Sequence, residues 1–297
     1  MENIMKTAII TDSTSSLPES LASHPDVYVI HLRVIYPDGH SLEETTDETV
    51  LKTYYSELKS METLPTTSQP SVGEVYDVME SLVEKGYDQV LVMTMSSALS
   101  GTFQNCQLVA GEYQDKLKIR LIDTRQTGLS LAYLVENGLK LVAELDLDMA
   151  VDRLKWLDEQ MVIYVTVRDL NNLVKGGRAS KSMVVLGNLL KILPLIYVQR
   201  SGELGMSEKI RTCKKVIHRM VEIIHEEGKM YEKGYQVCLL GTPEEDSCQQ
   251  IQEMIQNTDW GKELEIRYAT IPPVIGTHLG SGSFGFCVLP KIENCPF

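Results

Sequence analysis

Four short polar stretches hold the residues of this sequence that could grip or transform a small anion. In Met95-Ser-Ser-Ala-Leu-Ser-Gly-Thr102 an apolar, strand-like run (Gln89–Thr94) gives way to a helical pattern opening at Gly101. Hydroxyls and free N–H groups gathered at a helix N-terminus favour negative charge. Ser96, Ser97 and Ser100 exceed what one helix cap needs, and Gly101 permits close backbone approach to a ligand. The other stretches are Thr66-Thr-Ser-Gln-Pro70, Lys175-Gly-Gly-Arg178 and Thr277-His-Leu-Gly280. Thr67 and Ser68 offer hydroxyls, though turn chemistry before the capped helix at Ser71 would also use them. Arg178 supplies a permanent charge whose planar fork matches a carboxylate. His278 opens a glycine-rich run through Gly280 to Gly285 that could form a nest of N–H donors. Together these groups predict a carboxylate or phosphate site rather than a reactive centre.

Two other chemistries use the same residues. Ser97 as nucleophile with His278 as base would make a serine-dependent lipid esterase or acyl transferase, with Asp12 or Asp123 to orient the histidine. The G-x-S-x-G elbow is absent around Ser97. A phosphometabolite or nucleotide binder would also suit hydroxyl-rich strand ends. No G-x-x-x-x-G-K-[ST] loop is present, and Ser281–Gly285 does not open a βαβ unit.

Bulk properties narrow the partners. The chain has 297 residues, 43% hydrophobic and 23% charged, as expected of a globular protein with room for two domains. A net charge of −13 argues against nucleic acid or an anionic membrane as the main partner. The basic segment Lys209-Ile-Arg-Thr-Cys-Lys-Lys215 reads as a solvated helix face, with an acidic partner surface as the alternative. The six cysteines are scattered without C-x-x-C spacing, and the histidines form no cluster, so neither a metal nor another cofactor is expected. Met1–Thr7 runs directly into an apolar strand, with no signal-peptide pattern, and no apolar run approaches the ~20 residues of a membrane span. The expected location is the cytoplasm.

The elements that must position these groups alternate in the first half. Strands are predicted at 7–10, 27–36, 89–95 and 118–122, with helices from Ser71, Gly101 and Gly128, the last running to Glu144. Such alternation predicts an α/β fold, a parallel sheet with helices on both faces. The second half reads as α+β, with strand 162–167, the apolar stretch Met183–Leu193, a hairpin turning at Ser201-Gly202, a helix from Glu208 to Glu227, strand 235–240, a helix from Glu244 to Gln256, and strands near 264–270 and 284–289. Ile271–Ile275 reads as strand-like. Two domains are expected, 1–165 and 166–297, with the ligand between them.

Six motifs in order then carry a resemblance over nearly the full length: Ile9-Ile-Thr-Asp-Ser-Thr14, Thr67-Ser-Gln-Pro-Ser71, Ser96–Thr102, Leu173-Val-Lys-Gly-Gly-Arg-Ala-Ser180, Gly187-Asn-Leu-Leu190 and Thr277-His-Leu-Gly280. The chain resembles the DegV family of bacterial fatty-acid-binding proteins, which includes the FakB subunits of fatty acid kinase. The resemblance implies one long-chain fatty acid in a tunnel between two α/β domains. It implies carboxylate contacts from Thr67, Ser97, Arg178 and His278, supported by Ser96, Ser68, Gly101 and Gly280. It further implies a non-catalytic carrier that presents the carboxylate to a separate ATP-dependent fatty acid kinase, whose acyl phosphate enters phospholipid synthesis. One departure stands out: the family often has Gly-Pro-Gly after the histidine, where this chain has Gly280-Ser281-Gly282.

Overall fold

The computed structural model describes residues 5–180, 183, 192–243 and 245–297. Strands β1 (Thr7–Asp12), β2 (Val27–Ile30), β6 (Gln89–Thr94) and β7 (Lys118–Asp123) form a parallel sheet in the order β2-β1-β6-β7. The central strands β1 and β6 are buried on both faces and so are mostly apolar, and their successive side chains serve different cores, whereas the edge strand β7 carries Lys118 and Arg120. Ala8, Ile10, Val90 and Val92 face helices α3 (Val72–Glu84) and α4 (Thr102–Ala110). Ile9, Leu91 and Met93 face α5 (Leu129–Glu144) and α6 (Leu147–Gln160). The predicted parallel sheet with helices on both faces is what forms.

The chain then builds a six-stranded mixed sheet in the order β10-β9-β8-β13-β11-β12. Its strands are β8 (Val162–Thr166), β9 (Leu193–Val198), β10 (Leu204–Ile210), β11 (Tyr235–Gly241), β12 (Glu265–Thr270) and β13 (Phe284–Pro290). One face packs Phe284, Phe286 and Val288 against α8 (Cys213–Gly228) and α9 (Ser247–Gln256). The other turns Ile163, Cys287 and Leu289 toward α5, α6 and the first sheet. The change from one sheet to the other falls between α6 and β8, so residue 165 lies within β8.

Several local expectations are corrected. Glu208–Ile210 belongs to β10, because the hairpin partner β9 captures it, and the helix starts after the Thr212 cap. Ile271–Ile275 is not a strand: Pro273 opens helix α10 (Pro273–Leu279), as proline suits a first helical turn. His278 therefore projects from a helix. Residues 27–36 divide into β2 and β3 (Arg33–Ile35). Strand β3 joins β4 (Ser41–Glu43) and β5 (Thr66–Ser68) in a small antiparallel sheet above α2 (Glu48–Ser60). The helix placed at Glu244 begins at Ser247. Of the 183–193 stretch, residues 184–191 lie outside the described residues, as does Glu244.

Two buried carboxyl groups fix the frame. Asp12, at the end of β1, accepts from Thr14 N and Oγ1 (3.0 and 2.5 Å) and from Met95 N (2.6 Å), tying β1 to the loop that follows β6. Glu44 accepts from Val274 N at 3.1 and 3.2 Å and so holds the start of α10. Burial pushes the Glu44 carboxyl well above the usual carboxylate range. A raised native pKa means stability is fully present below the unfolded value and declines as pH rises toward the native one. Glu44→Gln, which keeps the acceptor and cannot ionise, should fold as well as the native chain at acid pH and gain on it as pH rises. Glu44→Ala should cost about 2 kcal/mol by orphaning a buried N–H. Urea denaturation at several pH values reads both.

Candidate functional site

Between the two sheets lies a cavity of about 290 Å³. Its wall is built element by element from apolar residues: Ile163 and Val165 of β8, Val198 and Leu204 flanking the β9–β10 turn, Leu240 of β11, and Val274, Ile275 and Leu279 on one face of α10. Polar groups gather where β5, the loop after β6, the turn after α7 (Asn171–Lys175) and α10 converge: Thr67, Ser68, Gln69, Ser100, Arg178 and His278. Arg178 is the one charged side chain lining the cavity among the described residues.

Thr67 pairs with Val34 in the small sheet, which fixes its height above the cavity. Its Oγ1 lies 2.9 Å from His278 Nε2. The other ring nitrogen, Nδ1, is buried without a partner. It lies against Gly176, where a Cβ would come within 2.3 Å, so glycine is required there. Burial first, and then the Arg178 charge, lower the His278 pKa to about 4, so the ring is neutral at pH 7. Arg178 Nε donates to Leu99 O (3.0 Å) and Nη1 to Gly176 O (2.7 Å), which hold the guanidinium at the cavity mouth. The structure thus brings Thr67, Ser68, Arg178 and His278 to one place.

The remaining expected residues stand one step away. Ser97 donates its N–H to Asp123 Oδ1 (2.8 Å) and its hydroxyl to the same carboxylate, and it does not line the cavity. Ser96 is 2% exposed and donates from Oγ to Gly202 O (3.0 Å), fastening the β9–β10 turn onto the first sheet. Gly101 makes room for Gln69, whose Oε1 would meet a Cβ at 2.1 Å. Gly280 N–H closes α10 onto Gly276 O at 2.7 Å, so that donor serves the helix. Ser100, counted in the sequence among the surplus hydroxyls but not given a ligand contact, lines the cavity, as does Gln69, which was not singled out. Both sat inside the chosen motifs, but which hydroxyl of a serine cluster faces inward depends on the loop's turn. A second, polar hollow of about 370 Å³ lies across the same head group and shares Thr67, Arg178 and His278, adding Thr63, Asn172 and Lys175. Among the described residues no group of acidic, histidine and cysteine side chains could hold a metal ion. No helix among them is long and apolar enough to cross a membrane.

Two sheets enclosing an apolar cavity with a small polar head define the class: an α/β protein shaped around an amphipathic ligand site. The chain belongs to the DegV family, whose model, described as "Uncharacterised protein, DegV family", matches residues 6–291. A DegV domain-containing protein of Streptococcus pyogenes serotype M6 is 31% identical over 289 residues, 97% of this chain and all of that one. A fatty acid binding DegV family protein of Streptococcus agalactiae, solved as a crystal structure, is 34% identical with a TM-score of 0.86, covering 97% of this chain and 99% of its own. The fatty acid kinase B3 protein of Streptococcus pneumoniae, solved loaded with linoleic acid, shares the fold (TM-score 0.79, 21% identity, 97% of this chain and all of that one).

Two outcomes test this geometry. An NMR titration of the imidazoles should show His278 protonating near pH 4; a midpoint near 6.5 would mean the ring is solvated. Gly202 has φ +82°, and a Cβ there would sit 2.2 Å from Ser96 Oγ. Gly202→Ala should therefore cost about 1–3 kcal/mol in denaturant unfolding.

Proposed function

We propose that this protein binds a long-chain fatty acid non-covalently, with the tail in the 290 Å³ cavity and the carboxylate at Thr67, Arg178 and His278. The observation that carries the reading is the division of that cavity into an apolar body and one small polar end holding a single cation. Each buried methylene contributes about 0.8 kcal/mol, so a sixteen-carbon tail can gain on the order of 10 kcal/mol before ordering costs. The polar end offsets carboxylate desolvation and sets which way the ligand lies. Arg178 faces the charge. Thr67, next to a neutral His278, donates a hydrogen bond without adding a second cation. Ser97 acts at one remove, holding the loop of Ser96, Leu99 and Ser100 through Asp123.

In this reading the protein is a carrier and the chemistry belongs to a partner, an ATP-dependent fatty acid kinase that phosphorylates the presented carboxylate. The polar hollow across the head group supports it, because a phosphoryl donor can approach there without crossing the tail cavity. The serine-esterase reading is weaker on this geometry. The Ser97 hydroxyl is engaged with Asp123 and the His278 Nε2 with Thr67, so the two do not form a nucleophile–base pair.

Lipid extracted from the denatured recombinant protein and identified by mass spectrometry tests the ligand: near-stoichiometric free fatty acid is expected. Protein that carries none and takes up no added oleate would remove the reading. In a fluorescent-lipid titration, Arg178→Ala should weaken binding by about tenfold to a hundredfold, the loss of one charged hydrogen bond. Thr67→Val should cost about tenfold. Thermal melts of the two variants should stay close to that of the native chain, which separates lost contacts from lost fold.

A further inference from the structure

Strand β12 closes one end of the six-stranded sheet and pairs with β11 alone, in parallel. Ile271 N donates to Gly241 O at 2.9 Å, which fixes the side each amide faces. In a parallel ladder the N–H and C=O of one residue point the same way, alternating along the strand. Arg267, Ala269 and Ile271 therefore spend theirs on β11. Ile266, Tyr268 and Thr270 turn theirs outward, where no strand among the described residues meets them, and Tyr268 is 47% exposed.

The two edges of this sheet are treated differently. Folded proteins guard a free edge with bulges, lysines, prolines or a covering element. At the far edge, β10 has a register shift between Met206 and Glu208 and carries Lys209. The β12 sequence Glu-Ile-Arg-Tyr-Ala-Thr contains neither lysine nor proline, and its pairing with β11 runs without a shift. Beside it lies a hollow of about 460 Å³ bounded by β12, α5, residues 16–21 and the start of α2. Leu17, Leu129 and Ala132 give the hollow an apolar floor. Glu19, Glu48 and Glu136 line it against one cation, Arg267, which is already bound to Glu136 (3.0 Å) and Glu265 (3.2 Å). Lys140 also pairs with Glu136 (2.9 Å) and Lys52 with Glu48 (3.8 Å), so the uncompensated negative charge of the hollow is that of Glu19. The Glu19 carboxylate has no partner among the described residues.

We propose that the outer edge of β12 is a docking site for an extended, basic segment of a partner protein, which adds to the sheet as a seventh strand. Outward amides at Ile266, Tyr268 and Thr270 give it register. Its side chains on the α5 side enter the hollow, where lysine or arginine meets Glu19 and Glu48 and small apolar residues meet Leu17, Leu129 and Ala132. A second copy of this chain is the poorer occupant, since pairing β12 with β12 would bring the same carboxylates together. This surface is separate from the fatty-acid cavity, so the inference stands or falls independently of the ligand.

The probe is a fluorescein-labelled peptide of alternating lysine and valine, titrated with the full chain by fluorescence anisotropy. Saturable binding that weakens with salt is expected, with no binding of the glutamate–valine counterpart. N-methylating alternate residues on one edge of the peptide should weaken binding by about tenfold or more, while methylating the other edge leaves it unchanged. The double variant Glu19→Gln/Glu48→Gln should bind severalfold less tightly. No saturation up to about 1 mM, equal loss from both methylation patterns, or equal binding of the acidic peptide would each overturn the proposal. So would self-association through this edge, seen as a sedimenting dimer that Tyr268→Pro abolishes.

Discussion

The site depends on how helix α10 is bolted between the two sheets. The helix lies in the chain between β12 and β13, yet its fixing bonds come from the first half of the sequence. Glu44 takes the Val274 N–H, Tyr54 Oη meets Thr277 Oγ1 at 2.7 Å, and Tyr55 Oη donates to Ile271 O at 2.8 Å. The approach is close enough that Gly276 is obligatory, since a Cβ there would lie 2.0 Å from Tyr55 Oη. These contacts are buried, so each polar group left without its partner would carry a full desolvation cost. The same helix contributes Val274, Ile275 and Leu279 to the cavity wall and His278 to its polar end. One short helix therefore joins the two halves, closes the apolar space and aims a head-group residue.

Electrostatics at that end follows from the same burial. An acidic protein that is to hold an anion must do so with a local excess of donors, and here the excess is a single guanidinium. Leu99 O and Gly176 O orient Arg178, and both acceptors are backbone groups held by the elements that define the site. His278 is neutral because solvent is excluded and Arg178 stands near, so the head group carries one positive charge rather than two. On the proposed reading, that one positive charge would face one carboxylate and leave no net charge buried, which is the least costly balance in a low-dielectric space.

Much of the fold was legible because apolar periodicity is a strong signal where a sheet is buried on both faces. Ala8–Ile10, Val90–Met93 and Ile119–Leu121 read directly as parallel strands, and Ser71 marked its helix by the cap it makes to Glu74 N (3.1 Å). Legibility failed where tertiary pairing overrode local pattern. Glu208–Ile210 looked helical until β9 was there to pair with it. Helix α6 was not anticipated although its signal is local: Leu147, Ala150, Val151, Leu154 and Leu157 fall on one helical face behind the Asp146 cap. In the site, residue type and order located the four converging segments. They could not say which serine faces inward, because that is set by Asp123 and Gly202, which lie 26 and 106 residues from the serines they hold.

The Gly280-Ser281-Gly282 turn shows how a local rule can be replaced by a distant contact. Where a proline would fix φ covalently, Ser281 Oγ donates to Tyr55 O at 3.2 Å. The turn is held on its other side by Gly282 N donating to Thr242 Oγ1 at 2.9 Å. Both flanking glycines adopt positive φ, +79° and +76°, which side chains resist. The shape of the turn thus rests on α2 and on the end of β11, and Tyr55 serves twice, once through its hydroxyl and once through its carbonyl. Any movement of α2 relative to α10 would loosen the turn after His278 and the His278–Thr67 contact together. The head group and the junction of the two halves are therefore one mechanical unit.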